Sequence, residues 1–193
     1  MPRKTFEASL EDLNVELIKM GATVETAINS AIIAFKNHDE KLAKEVVDQD
    51  RIIDDMEKDI ESKCLSLILR QQPVACDLRV VSTALKMVTD MERIGDQAAD
   101  IAELVMDFTG ELGYTSIEHI PAMAEVAVSM VHGAIAAFVN HDVEAAREII
   151  KKDDVVDELF EKVKQDVSKS LQANAKNSDM DINFLMIAKY LER

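Results

Sequence analysis

Residues 31–54, AIIAFKNHDEKLAKEVVDQDRIID, align without gaps with residues 134–157, AIAAFVNHDVEAAREIIKKDDVVD, at an offset of 103 residues. A second match pairs LKMVTDMER (85–93) with LMIAKYLER (185–193) at an offset of 100. Self-similarity at a fixed period is typical of a structural unit that occurs more than once. The sequence therefore predicts two related domains.

Apolar residues recur at three- and four-residue steps along each copy, which is the spacing of one helix face. In the first copy they are Leu10, Leu13, Leu17, Met20, Val24, Ala27, Ala31 and Phe35. This pattern predicts a helix from about Thr5 to Lys36, and Asp39 after it is placed to cap a second helix that ends before Pro73. A third helix should run from about Cys76 to Phe108. We expect an all-α fold in which each copy is an up-down-up three-helix bundle.

The segment TGELGYTS (109–116) separates the copies, so we place a first bundle at 1–109 and a second at 116–193. The second copy stops at YLER, whereas the first continues with IGD. We therefore expect the last helix to be truncated and the second bundle to have an exposed apolar groove, where a partner or second subunit fits.

Composition restricts the class of protein. The 22 basic and 37 acidic residues give a net charge of −15, which repels nucleic acid, anionic lipid and free phosphate. Cys64 and Cys76 form no zinc pattern, and we expect both to be buried thiols in a reducing compartment. No secretory signal is evident, so we expect a cytoplasmic protein. The apolar run 122–139 is interrupted by charge and predicts a buried helix rather than a membrane span.

Three acids of the third helix follow one another at four-residue steps, although like charges at this spacing destabilise a helix. They are Glu92, Asp96 and Asp100, and Glu92 falls within the apolar stripe that faces the other helices. Gly95 lies beside them at mid-helix, where it costs about 1 kcal/mol relative to Ala. This glycine indicates close approach of another backbone or an inorganic cluster.

The second helix carries a matching acidic set, Asp50, Asp54 and Glu57. If the two helices pack antiparallel, both sets meet and offer oxygens suited to Mg²⁺, Mn²⁺, Ca²⁺ or iron. The second copy keeps part of this pattern, since Asp153 and Asp157 align with Asp50 and Asp54, Glu192 aligns with Glu92, and Phe160 replaces Glu57.

A structural alternative stays open, because Arg51, Lys58 and Arg93 lie nearby and could pair with these acids in an adaptor that binds no metal. His38 and His141 occupy equivalent NHD turns, which favours a turn role over metal ligation. The sequence contains no Walker loop, G-x-G-x-x-G, H-E-x-x-H or Glu-x-x-His, so an enzyme is disfavoured.

The stretch MERIGDQAADIAE (91–103) resembles the PhoU family, which regulates bacterial phosphate transport and phosphate signalling. The likeness extends over nearly the whole chain, through Asp77-Leu78-Arg79 and an opening-helix pattern. That pattern consists of Phe6, Leu10, Leu13, Leu17, Met20, Gly21, Val24 and Ala27. The resemblance implies six helices in two three-helix bundles.

The resemblance also implies metal binding by paired acidic motifs, with iron, zinc, magnesium and manganese all compatible. The matching positions are Asp50, Asp54, Glu92 and Asp96 for a first site, with Asp100 as a neighbour, and Asp153, Asp157 and Glu192 for a second. The implied role is a non-enzymatic adaptor between the ATPase subunit of a phosphate ABC transporter and a sensor histidine kinase. We expect a homodimer that reaches the membrane only through these partners. A rival hypothesis is the PhoU-like cytoplasmic domain of a sodium–phosphate cotransporter.

Overall fold

The computed structural model describes residues 2–107, 118–173 and 178–193, with side chains from Phe6 onward. Within these ranges the chain forms seven helices and no strand, which confirms the predicted all-α fold. The helices are α1 (Pro2–Asn37), α2 (Glu40–Gln71), α3 (Cys76–Met106), α4 (His119–Val139), α5 (Val143–Ile150), α6 (Asp153–Ala173) and α7 (Ser178–Glu192). The predicted boundaries at residues 109 and 116 lie outside the described residues and stay a prediction.

The same turn ends the first helix of each copy. His38 and His141 both adopt left-handed backbone angles, with φ of 52° and 54°. The next residue in each copy caps the following helix, since the Asp39 carboxylate accepts from the Leu42 N–H and the Asp142 carboxylate makes the equivalent bond. Capping of this kind stabilises a helix start by about 1 kcal/mol. The predicted cap at Asp39 is confirmed.

The first bundle packs around α1, which contacts α2, α3 and α4. The predicted stripe of α1 is buried over most of its length, and its fully or nearly fully enclosed members are Leu13, Leu17, Met20, Val24, Ala31 and Phe35. Glu16 on α1 and Lys63 on α2 form an ion pair across the helix interface. This continuous apolar seam fixes the register in which α2 and α3 meet.

The second copy departs from the predicted three helices, because the counterpart of α2 is broken into α5 and α6 at Lys151 and Lys152. The eight residues of α5 include none that is buried, whereas Ala43 and Val46, the counterparts of Ala146 and Ile149 in α2, are enclosed. In the described chain only α4 packs substantially on α5. A helix without tertiary cover is marginal in water, which accounts for the break.

An open apolar groove runs between α3, α4 and α5. Its lining includes Met87, Phe138, Val143, Ile149 and Ile150, and two of these, Val143 and Ile150, are 62% and 71% exposed. Helix α7 ends at Glu192, whereas the equivalent helix α3 continues to Met106. The expectation of an exposed apolar groove in the second bundle agrees with this arrangement.

Two helices are long and apolar enough to cross a membrane by length and composition alone, namely Phe6–Asn37 and α4. Core helices of globular proteins pass the same test. In this fold 44% of the most apolar 18-residue stretch within Phe6–Asn37 is buried. The corresponding share for α4 is 28%. Burial of α4 is therefore only partial, because one of its faces lines the groove.

The two cysteines differ in exposure. Cys64 is fully buried, and this burial raises the pKa of its thiol to about 11. Cys76 is exposed at the start of α3, so the expectation that both thiols are buried is wrong for this residue. The first residue of a helix that follows a turn has few neighbours to cover it.

The bundles meet where α1 packs on α4 and α3 packs on α7. Phe35 and Phe184 form an edge-to-face pair with ring centroids 5.7 Å apart. Gly21 on α1 faces Ile135 on α4 so closely that a Cβ atom at Gly21 would overlap the Ile135 Cδ1 atom. The glycine thus allows the two bundles to approach.

We expect Gly21→Ala to lower the free energy of unfolding by on the order of 1 kcal/mol. Overpacking costs about 1–3 kcal/mol, and the gain in helix propensity returns about 1 kcal/mol. Ile135→Val removes the overlapping methyl group, so the double variant should recover most of the loss in denaturant melts. Additive effects of the two substitutions would contradict the contact.

Candidate metal centre

The acidic sets of α2 and α3 meet across an antiparallel interface. The Thr89 hydroxyl on α3 donates to the Glu57 carboxylate on α2 over 3.2 Å. One carboxylate oxygen each from Asp50, Asp54 and Asp96 then lie within 4.8 Å of one another. The structure brings together three of the four residues expected at the first site.

Gly95 of α3 allows Ile53 and Asp50 of α2 to approach closely. A Cβ atom at this position would lie 2.8 Å from the Ile53 Cδ1 atom and 3.4 Å from the Asp50 Oδ1 atom. The expected close approach at Gly95 is therefore present, but a side chain and a carboxylate approach it rather than a backbone. Because Ile53 and Gly95 are buried, their packing places Asp50 of α2 opposite Asp96 of α3.

The clustered acids raise one another's pKa. Burial raises the pKa of Asp50 to about 6, and the negative charges of Asp96, Asp54 and Asp100 contribute in that order. Burial also raises the pKa of Glu92 and of Asp96, again with the neighbouring carboxylates as the next cause. These groups hold negative charge at a cost that a bound cation would remove.

Glu92 and Asp100 flank the three central acids. Glu92 is half-buried beside the seam rather than within it, because the buried positions of α3 are Val88, Met91 and Gly95, and the predicted place of Glu92 in the buried stripe is wrong. The charge of Asp96, followed by those of the α2 acids, adds to the effect of burial on the pKa of Glu92. Asp100 lies toward the second bundle, where burial and then the charge of Asp100 raise the pKa of the Tyr190 hydroxyl. Tyr190 was not recognised in the sequence, since it aligns with the ordinary surface residue Asp90.

Protein cations near the cluster are few and exposed. The Lys58 Nζ atom lies 4.0 Å from an Asp54 oxygen and 3.9 Å from Asp55, and the lysine side chain is 66% exposed. Arg93 pairs instead with Asp90 at 3.8 Å. Among the residues that the structure describes, Lys58 is the one basic side chain paired with a central acid. Exposed pairs of this length contribute little, so the structural alternative accounts for little of the charge.

The residues expected at the second site are more dispersed. Asp157 and Glu192 line a cleft between α6 and α7 together with Phe160. Asp153, the first residue of α6, lies with Glu192 at the edge of a different cavity, which Tyr190 also lines. Within ranges 2–107, 118–173 and 178–193, three carboxylates approach as closely as 4.8 Å only in the first set.

The pKa of Asp50 predicts how the stability of the metal-free chain depends on pH. Since folding raises this pKa from 3.8 to about 6, the folded state binds the proton more tightly than the unfolded state. The protonated Asp50 therefore stabilises the folded chain fully below pH 3.8, and this stabilisation is lost as the pH rises through about 6. We expect thermal melts in chelator to show falling stability across this window.

Asp50→Asn is the matched control, because it keeps the shape of the side chain and removes the titrating group. The variant should lose part of the pH dependence between these values and should be more stable than the native chain at neutral pH. An unchanged pH profile would show that Asp50 ionises in the folded chain as it does in water.

Comparisons with known proteins identify relatives over the whole chain. The family model described as PhoU domain matches residues 17–105 and 120–193. A phosphate-specific transport system accessory protein PhoU homolog of Clostridium acetobutylicum is 38% identical over 194 residues, covering 100% of this chain and 89% of the relative. The homolog of Aquifex aeolicus is 33% identical and covers 95% of this chain and 83% of the relative.

Solved structures give the same result. The crystal structure of PhoU from Pseudomonas aeruginosa superposes with a TM-score of 0.88 at 30% sequence identity, covering 97% of this chain and 90% of that one. The phosphate transport system regulatory protein PhoU from Streptococcus pneumoniae superposes with a TM-score of 0.83 at 23% identity, which supports the fold alone.

Proposed function

The chain belongs to the PhoU family, and we propose that it acts as an accessory protein of a phosphate-specific transport system. The observation that carries this proposal is the 38% identity to the Clostridium acetobutylicum accessory protein across the entire chain. The relatives named above are accessory proteins, and this supports an accessory role over that of a cotransporter domain.

The chain acts as a regulator rather than as an enzyme. Its cluster of side chains offers carboxylates without a paired nucleophile or oxyanion donor, which suits binding better than chemistry. A net charge of −15 repels free phosphate, so phosphate status reaches this protein through its partners. The family likeness supports two partners on the cytoplasmic side, the ATPase subunit of the transporter and a sensor histidine kinase, and it supports a homodimer.

A metal ion at the first acidic cluster supports the regulatory surface. Asp50, Asp54 and Asp96 would hold the ion, with Glu92 beside them, and these oxygen donors suit Mg²⁺, Mn²⁺ or iron. The ion would neutralise the raised-pKa carboxylates of both helices. Helices α2 and α3 would then be held at a fixed spacing, and the surface they present to partners would become rigid.

Deletion of the gene in its own host tests the regulatory role. In phosphate-rich medium the deleted strain should express phosphate-starvation genes that the parent represses, and reintroduction of the chain should restore repression. The measurement is transcript abundance together with phosphate uptake. Normal repression in the deleted strain would reject the proposed function.

Replacement of two central acids tests the metal site. Asp50→Asn with Asp96→Asn removes one ligand from each helix, and we expect metal content after equilibration with Mn²⁺ to fall to background. Asp55→Asn with Asp90→Asn is the matched control, since it removes the same charge from the exposed faces of α2 and α3.

The melting temperature gives a second measurement of the same site. Added Mn²⁺ should raise it for the native chain and the control but not for the Asp50→Asn, Asp96→Asn chain. If both pairs of substitutions reduce metal content equally, the ion is held by surface charge and the site is wrong.

A further inference from the structure

The seam between α2 and α3 ends in an apolar layer. Ile53 of α2 meets Gly95 of α3 in the middle of the seam. Since the helices are antiparallel, two heptads further along α2 and two heptads back along α3 lead to residues on the same faces, Leu67 and Val81. Both of these residues are buried. The first bundle is therefore closed near the α2–α3 turn by hydrophobic side chains from both helices.

The second copy has polar residues in this layer. The offsets of the repeat align Ser170 of α6 with Leu67 and Asp181 of α7 with Val81. Ser170 is 7% exposed and Asp181 is 0% exposed. Within the part of the chain that the structure describes, the Ser170 Oγ atom and both carboxylate oxygens of Asp181 have no hydrogen-bond partner. Since buried polar groups nearly always have a partner, these oxygens indicate a site for a bound ligand.

The basic groups at this end of the second bundle contact a different acid. The His119 Nε2 atom of α4 lies 3.5 Å from one carboxylate oxygen of Asp166, and the Lys169 Nζ atom lies 3.3 Å from the other. Asp166 precedes Ser170 by about one turn of α6. Among residues 2–107, 118–173 and 178–193, no basic side chain pairs with Asp181. A carboxylate enclosed in this way needs a positive charge from elsewhere.

The ends of α6 and α7 favour a cation and a carboxylate side by side. Asp181 lies in the first turn of α7, where free N–H groups favour negative charge. Ser170 lies in the last turn of α6, which ends at Ala173, and the free carbonyl groups of a last turn favour positive charge. Oxygens at helix ends are also ligands that coordinate Na⁺ in membrane transporters.

We propose that Asp181 and Ser170 bind a monovalent metal ion, Na⁺ or K⁺, within the second bundle. Carboxylate and hydroxyl oxygens are hard ligands, which suit such ions better than transition metals. A single carboxylate balances one positive charge, whereas a divalent ion would leave excess charge in a buried place. The ion fastens the end of α6 to the start of α7, where the first copy relies on Leu67 and Val81. This inference does not depend on a metal ion at the Asp50 cluster.

Thermal melts of the full chain in three chloride salts test the site. The salts are NaCl, KCl and tetramethylammonium chloride at equal ionic strength, with a chelator that removes divalent ions. Tetramethylammonium screens surface charge as the metal ions do, but it presents methyl groups that carboxylate and hydroxyl oxygens cannot coordinate. We expect the melting temperature to be higher in NaCl or KCl by about 2–4 °C, and the difference should increase with ion concentration.

Two variants remove the site and a third is the matched control. Asp181→Asn keeps the volume of the side chain and should abolish the difference between the salts. Ser170→Leu with Asp181→Val introduces the residues of the first copy, and this chain should also melt at one temperature in all three salts. Asp179→Asn removes the same charge from an exposed position in the same turn, so it should keep the native response. Circular dichroism spectra establish that each variant is folded.

Two results would overturn the inference. One is a native chain that melts at the same temperature in the three salts, because a proton, water or the chain itself would then satisfy the carboxylate. The other is a difference between the salts that persists in the Asp181→Asn chain, because the metal ion would then act on surface charge. Neither result bears on the acidic cluster of α2 and α3, which the Asp50→Asn, Asp96→Asn chain tests separately.

Discussion

The packing of Ile53 of α2 against Gly95 of α3 is the contact on which the acidic centre depends. It brings the helices so close that a methyl group at Gly95 would meet both the isoleucine and the Asp50 carboxylate. Like charges separate when nothing holds them, and exposed acids one turn apart already repel by about 0.2–0.5 kcal/mol per pair. Burial of the apolar seam on either side supplies the opposing free energy. The carboxylates are thus held together by a hydrophobic contact, and their raised pKa values are the result.

Local rules predict much of this structure from the sequence. The repeat and the three-and-four spacing of apolar residues predict the helices, Asp39 is recognisable as a cap, and Gly95 indicates a close approach. The stripe beside Glu92 predicts that α3 turns its acids toward α2. The sequence therefore predicts that the acids of α2 and α3, among them Asp50, Asp54 and Asp96, lie close together. No sequence pattern gives the distances between their oxygens.

The features that the sequence could not predict depend on which helices pack against each segment in the folded chain. The segment around Lys151 has helix-forming residues, and its alignment with α2 indicates one continuous helix. The helix nevertheless breaks there, because only α4 packs substantially on α5 in the described chain and no residue of α5 is buried. Exposure of Cys76 has the same kind of cause. The alignment pairs Thr89 with Lys189, but the contact of the Lys189 ammonium with the Phe160 ring appears only in the folded chain.

The two copies have diverged from a common plan. The first keeps three clustered carboxylates between two long helices, whereas in the second the counterpart of α2 is broken into α5 and α6. The short helix α5 is the clearest trace of this divergence. Because it contributes no enclosed side chain, its amide groups can open to solvent without disturbing the core, and they should exchange their hydrogens well before those of α2. The eight residues of α5 thus form a separate unit of local unfolding within an otherwise cooperative protein.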